Sequence, residues 1–211
     1  MSNNCPLCDA GSPRHFFSDQ KRDYRQCLRC ELVFVPSRFY LSAADEKAEY
    51  DLHRNDSSDI NYRAFLARLY EPLNQRLKAG SQGLDFGCGP GPTLSMMFEE
   101  TGHRVALYDI FYEQDRSVLS DTYDFISASE VVEHLSAPGK VLNQLWSQIK
   151  PGGCLGIMTK LVAGQMEFSS WHYKNDVTHI SFYSRLTFEW LGGQWGSAPI
   201  FVGSDVIIFN K

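Results

Sequence analysis

At 211 residues, with 43% hydrophobic and 13% aromatic residues, the chain is long enough for one well-buried α/β domain plus a small accessory module, and too apolar to be disordered. No apolar run approaches the roughly 18–20 residues that span a bilayer, and Met1-Ser2-Asn3-Asn4-Cys5 lacks the basic and apolar regions of a signal peptide, so a cytoplasmic protein without membrane contact is expected. The net charge is −5, with six basic against four acidic residues in 1–40 and eight against fourteen in 83–211, which argues against the larger part gripping a phosphate backbone along its length.

The chain reads as three sections: 1–40, 41–82 and 83–211. In the first, Cys5-x2-Cys8 and Cys27-x2-Cys30 are separated by eighteen residues, the spacing of a four-cysteine zinc ribbon. Four thiolates close a tetrahedron and leave no position for water, so a bound zinc is expected to be structural, with folding of the segment dependent on it. The apolar run Leu32-Val33-Phe34-Val35 then reads as a short strand stopped by Pro36.

Residues 41–82 read as helical. Tyr62, Phe65, Leu66, Leu69, Tyr70, Leu73 and Leu77 follow the i, i+3, i+4, i+7 pattern of an amphipathic helix. Pro72 predicts a kink, or a break between two helices. Gly80-Ser81-Gln82-Gly83 ends the section with turn residues.

From residue 83 strands and helices alternate. Strands are expected at 83–87, 104–109, 123–129 and 154–160, and helices at 93–101, 138–149 and 186–191. The runs 199–202 and 206–209 are expected to close the sheet as an antiparallel pair. Helical crossovers imply an α/β fold with a mostly parallel sheet covered on both faces.

The first of these strands runs into Gly87-Cys88-Gly89-Pro90-Gly91 and then a helix, a loop whose backbone approaches a ligand more closely than a Cβ would allow. The spacing is neither the dinucleotide G-x-G-x-x-G nor a Walker loop, which needs Gly-Lys-Ser/Thr. Asp85, just before the loop, suits the amino group of a cofactor that carries an amino acid. Asp109, at the tip of the next strand, suits a ribose diol or, alternatively, caps a helix.

These residues carry a family resemblance. The segments 84–91, Asp109, Tyr123-Asp124-Phe125-Ile126, Glu130-Val131-Val132-Glu133-His134-Leu135 and Ile149-Lys150-Pro151-Gly152-Gly153 resemble, in order, the motifs of class I S-adenosylmethionine-dependent methyltransferases. The resemblance implies a Rossmann-like sheet with an antiparallel last strand. It also implies that Gly87, Gly89 and Gly91 line the methionine part of the cofactor with Cys88, and that Asp109 binds the ribose between Tyr108 and Ile110. Ser129 and Glu130 would border cofactor and acceptor, and Lys150-Pro151-Gly152-Gly153 would be the turn entering the fifth strand. Only fourteen residues separate Asp109 from Asp124, where the family fits a helix and a third strand. That helix is expected to be absent or a turn, and the third strand shortened.

After the fifth strand, on the ligand side of the sheet, residues 171–184 are dense in aromatic and titratable groups. His179 is the first candidate for a base or a substrate-orienting group, supported by His172, Tyr173 and Asp176. The competing reading is a hydrogen-bonded loop in which His179 holds the backbone. Glu133 and His134 read as structural residues at a helix start, and no catalytic metal is assigned to them. The leading expectation is methyl transfer from S-adenosylmethionine to a small-molecule acceptor. The alternatives are an rRNA or tRNA methyltransferase that docks RNA on the ribbon through Arg14, Lys21, Arg22, Arg25 and Arg29, and a non-catalytic protein that keeps the cofactor fold.

Overall fold

The computed structural model describes residues 4–52 and 56–211. Residues 1–3, on which the reading of the N-terminus leans, and 53–55 of the helical stretch lie outside the described residues.

The order of elements is β1 (Arg14–Ser18), β2 (Asp23–Gln26), β3 (Val33–Phe34), α1 (Ala43–Tyr50), α2 (Ile60–Asn74), β4 (Gln82–Phe86), α3 (Thr93–Glu99), β5 (Arg104–Tyr108), β6 (Tyr123–Ser129), α4 (Pro138–Gln148), β7 (Ile149–Met158), α5 (Gln165–Ser170), β8 (Ser181–Phe182), α6 (Arg185–Trp195), β9 (Ile200–Val202) and β10 (Val206–Asn210). A six-stranded sheet has the order β5-β4-β6-β7-β10-β9. Its first four strands are parallel, and β10 runs antiparallel to both β7 and β9. This is the expected mixed α/β Rossmann-like architecture.

Period-2 alternation along the strands sorts side chains into two cores. Phe125, Cys154 and Ile208 pack with Leu66, Leu69 and Leu73 of α2 and Leu94, Met97 and Phe98 of α3. Their sequence neighbours Ile126, Leu155 and Ile207 pack on the other face with Leu142 and Leu145 of α4 and Phe188 and Leu191 of α6. Between β5 and β6 the chain makes only a 3₁₀ turn, Arg116–Ser120. No third strand forms, and β5 is left as an edge.

Three local expectations are corrected. Pro72 does not divide two helices. It sits in the last turn of α2, with only Leu73 and Asn74 of the helix after it, and the helical stretch is interrupted earlier, between α1 and α2. Lys150-Pro151-Gly152-Gly153 is not a separate turn: β7 already starts at Ile149. The extra residues are absorbed as an irregularity opposite 123–125, with Gly152 at φ 82°. Finally, Glu133 and His134 lie in a single 3₁₀ turn, Val132–His134, not at the start of an α-helix.

The N-terminal segment is built into the rest of the chain. Strands β1, β2 and β3 form one sheet with β8, 150 residues further on. Val35 N–H donates to the Ile180 carbonyl at 2.9 Å, and an aromatic core of Phe16, Tyr24, Phe168, Tyr173 and Phe182 fills the junction. Arg22 is 6% exposed, and its guanidinium donates to the carbonyls of Lys174, Asp176, Val177 (3.1 Å) and His179 (2.9 Å). On the other side, Gly139 opens α4 against the first cysteine knuckle. A Cβ there would lie 2.1 Å from the Leu7 carbonyl oxygen.

Candidate active site

A cavity of about 1290 Å³ opens at the C-terminal ends of β4, β5 and β6, the place where open parallel sheets hold ligands. The fourteen residues expected to bind cofactor or acceptor line it: Asp85, Gly87, Cys88, Gly89, Gly91, Tyr108, Asp109, Ile110, Ser129, Glu130, His172, Tyr173, Asp176 and His179.

One end is the glycine loop. Gly87 and Gly89 have φ of 76° and 64°, and a Cβ on Gly87 would meet Val131 Cγ2 at 2.4 Å, so both conformation and space require glycine. The N–H groups of Gly87 and Cys88 donate to the Tyr108 carbonyl, at 2.7 and 3.2 Å. Asp109 acts as a cap and also reaches the glycine loop. Its Oδ1 accepts from the N–H groups of Phe111 (2.8 Å) and Tyr112 (3.2 Å), capping the following turn. Its Oδ2 accepts from Gly89 N–H at 3.1 Å, beside the loop. Asp85 is 3% exposed, and Ser127 Oγ donates to its Oδ1 at 3.0 Å. Burial pushes its carboxyl up to about 7, a penalty that an adjacent ammonium would relieve.

The other end is acidic and aromatic. Glu130 takes φ 52°, an uncommon conformation for a residue with a side chain, held by its N–H donating to the Met158 carbonyl at 2.8 Å. The Tyr173 hydroxyl lies between Glu133 Oε1, Glu130 Oε2 (3.2 Å) and Thr159 Oγ1 (3.2 Å). Burial raises Glu130 to about 7 and Glu133 to about 8, so both carboxyls hold protons far above the ordinary carboxylate range. Glu130 Oε1 and Glu133 Oε2 have no hydrogen-bond partner among the described residues.

His179 is 7% exposed. Its Nδ1 donates to the Tyr173 carbonyl at 2.7 Å, its Nε2 is 3.7 Å from Asp176 Oδ2, and burial lowers its pKa, favouring the neutral ring. Asp176 is mainly engaged in its own turn, accepting from Thr178 N–H (2.9 Å) and Oγ (2.6 Å). His172 is exposed and rests against Lys160 Nζ at 2.9 Å.

Sequence reasoning missed several wall residues. Tyr50 of α1 covers the cavity, its ring 5.3 Å from that of His134 and 5.8 Å from that of Phe111. Nothing in the sequence marked it, because α1 buries no residue and so carries no apolar stripe. Lys160 and His134 also line the cavity. Of these, His134 belongs to the motif at 130–135, where the sequence suggests a structural residue.

A family model described as a methyltransferase domain matches residues 58–197, more than half of the chain. The chain belongs to the methyltransferase-domain family. Among solved structures, this methyltransferase-family fold is similar to 1,6-didemethyltoxoflavin-N1-methyltransferase of Burkholderia thailandensis, determined with 1,6-didemethyltoxoflavin and S-adenosylhomocysteine bound. The TM-score is 0.56 at 16% identity, covering 94% of this chain and 99% of that one. It is also similar to a putative methyltransferase of Bacillus halodurans (TM-score 0.52, 16% identity, 64% and 67% covered). A third match is an O-methyltransferase family protein of Burkholderia thailandensis (TM-score 0.50, 13% identity), of whose length this chain covers 61%. No curated protein matches the chain in sequence. Among the described residues no helix is long and apolar enough to cross a membrane.

Proposed function

We propose that the chain is an S-adenosylmethionine-dependent methyltransferase acting on a small molecule, with a zinc ribbon at 1–40, a helical connector at 41–82 and the methyltransferase domain at 83–211, working in the cytoplasm. The observation that carries this reading is the single cavity joining the glycine loop, Asp85 and Asp109 to the Glu130–Tyr173–His179 end. Its volume exceeds that of an ordinary one-ligand pocket of about 300–1,000 Å³, leaving room for cofactor and acceptor side by side.

When bound, the cofactor supplies a methyl group already activated on a sulfonium. The protein's part is alignment, exclusion of water and removal of a proton. Asp85 would pair with the cofactor's ammonium, the glycine loop would pack along its methionine part, and Asp109 Oδ2 would take the ribose. At the acceptor, His179 presents Nε2, since its Nδ1 is held by the Tyr173 carbonyl. Glu130, raised to about 7 by burial, is matched to taking a proton near neutral pH.

The four cysteines fit a structural zinc. Their sulfurs all lie within 4.8 Å of one another, with Cys5–Cys30 at 3.5 Å and Cys8–Cys27 at 3.4 Å, close to the roughly 3.8 Å edge of a tetrahedron with Zn–S bonds of about 2.3 Å. The ribbon's role would be to hold residues 172–182, because Arg22 and β3 bind that segment directly. With Arg22 buried there, it offers no charge to RNA.

Isothermal titration with S-adenosylhomocysteine tests the central reading. One site per chain is expected. Absence of binding by both this product and S-adenosylmethionine would return the chain to the non-catalytic alternative.

A further inference from the structure

We propose that Glu133, His134 and His179 form a second metal site, separate from the cysteines, that takes a divalent transition-metal ion and presents it to an oxygen of the methyl acceptor. One ligand atom from each of the three residues lies within 4.8 Å of the other two, close enough for one ion to reach all of them. The residues come from two segments of the cavity wall, the 3₁₀ turn Val132–His134 and the loop before β8.

The hydrogen bonds around the three residues are those a metal ligand set needs. His134 Nδ1 faces the Thr178 carbonyl at 3.2 Å and His179 Nδ1 faces the Tyr173 carbonyl at 2.7 Å. A carbonyl can only accept, so each Nδ1 donates, and in the neutral ring Nε2 is the nitrogen that would reach an ion. Imidazole ligands are commonly oriented in this way, through the nitrogen that does not bind the ion.

Glu133 supplies the independent sign that a ligand belongs there. It is 0% exposed. Its Oε1 takes the Tyr173 hydroxyl, but Oε2 has no hydrogen-bond partner, and no lysine or arginine among the described residues forms an ion pair with Glu133. A fully buried carboxylate with one oxygen unsatisfied is costly unless it takes up a proton or meets a cation.

Two imidazoles and one carboxylate suit Mn²⁺, Fe²⁺, Co²⁺ or Zn²⁺, and three protein ligands leave coordination positions open. His134 and His179 line the cavity, so those positions face the acceptor. This assignment rests on the methyltransferase reading and refines it: His179 Nε2 meets the acceptor through the ion, and the acceptor class is a hydroxyl compound. The metal-bound hydroxyl loses its proton to Glu130, its oxygen forms the new O–CH₃ bond, and the CH₃–S bond breaks with its electron pair returning to sulfur. The products are a methyl ether, neutral S-adenosylhomocysteine and a protonated Glu130.

The test is Mn²⁺ titration of a chain carrying one equivalent of zinc, held at the four cysteines, with no free zinc, followed by loss of the free-ion electron paramagnetic resonance signal. Thiolates hold zinc in preference to Mn²⁺, so the cysteine site stays silent. One Mn²⁺ per chain is expected, with enhanced water-proton relaxation showing an open position. Glu133→Gln and His179→Ala should each weaken binding at least about tenfold while keeping the wild-type circular dichroism spectrum. The isosteric Glu133→Gln carries the result if His179→Ala unfolds. No Mn²⁺ binding, or equal binding by a folded Glu133→Gln variant, overturns the site. A bound Mn²⁺ closed to water overturns its role toward the acceptor. S-adenosylhomocysteine titration is run alongside. If Mn²⁺ binds and the nucleoside does not, the metal site stands and the methyltransferase reading falls.

Discussion

Asp109 bears out the capping reading made from the sequence, and its contact with the glycine loop supports the proposed ribose role. Oδ1 caps the turn after β5 and Oδ2 reaches the glycine loop, so removing the side chain should loosen the loop as well as delete the proposed ribose acceptor. Asp109→Ala is expected to weaken S-adenosylhomocysteine binding by about 1–3 kcal/mol in calorimetry, and unchanged affinity would leave Asp109 as a cap alone. Asp85 makes a prediction about pH. Its folded-state value is raised from 3.8 to about 7 by burial, so in the cofactor-free chain the unfolded state loses this proton first. Stability is therefore unaffected below about pH 4, declines from there to about pH 7, and then levels off. Asp85→Asn lacks this decline. Denaturant titrations should show it gaining on the wild type from pH 5 to pH 8, by roughly 4 kcal/mol at most over the full window. A constant difference across that range would mean that Asp85 is already ionised. Both residues were legible in the sequence because each sits at a fixed offset from a strand end. The unpartnered oxygens of Glu130 and Glu133 were not legible, since a missing partner is a property of everything packed around them.

At the scale of elements, helix α2 and its burial were readable from periodicity alone. Leu66, Leu69 and Leu73 are the stripe that meets the sheet, and Leu69 and Leu73 lie 3.0 Å from where a Cβ on Gly156 would be. Leu69→Ala should cost about 2–5 kcal/mol in chemical denaturation; a loss below 1 kcal/mol would mean that the interface collapses to fill the gap. The shortness of the segment after Asp109 was equally readable, since 14 residues cannot supply a helix, a strand and two turns. Strand β8 was not. Two residues carry no period, and Ser181–Phe182 pairs only because Val33–Phe34 is brought alongside it. The same pairing explains Arg22, which looks like part of a basic face in the sequence but spends its donors on four carbonyls of the 172–180 loop. Arg22→Met should keep the stem's packing while leaving those carbonyls without their charged donor. We expect the turnover number to fall more than cofactor affinity, because the acceptor side of the cavity is what Arg22 holds. Equal loss of both would point to general destabilisation.

For the whole molecule, the cysteine-bearing N-terminal segment is tied to residues 172–182 and to the start of α4. It shares a sheet with β8 and packs Leu7 against Gly139, so loss of the proposed zinc should be felt at the proposed acceptor end. Metal analysis of the purified chain is expected to give about one zinc, and stripping it with a chelator should lower Tm and loosen the 172–180 loop, seen as faster amide exchange. A stripped chain with unchanged Tm and exchange would rule out a structural metal. The sequence by itself determined what depends on neighbours in the chain: the cysteine spacing, the glycine loop that only small residues can form, the strand–helix alternation that makes the sheet parallel, and the acids at strand tips. Only the tertiary structure decided what depends on residues far apart. It placed the ribbon as a brace for the 172–180 loop, put Tyr50 over the cavity, and set Glu133 beside two imidazoles with one oxygen unsatisfied. The physical reason is that periodicity and turn chemistry are short-range, whereas burial, charge pairing and hydrogen-bond satisfaction are settled among side chains that only the fold brings within a few ångströms.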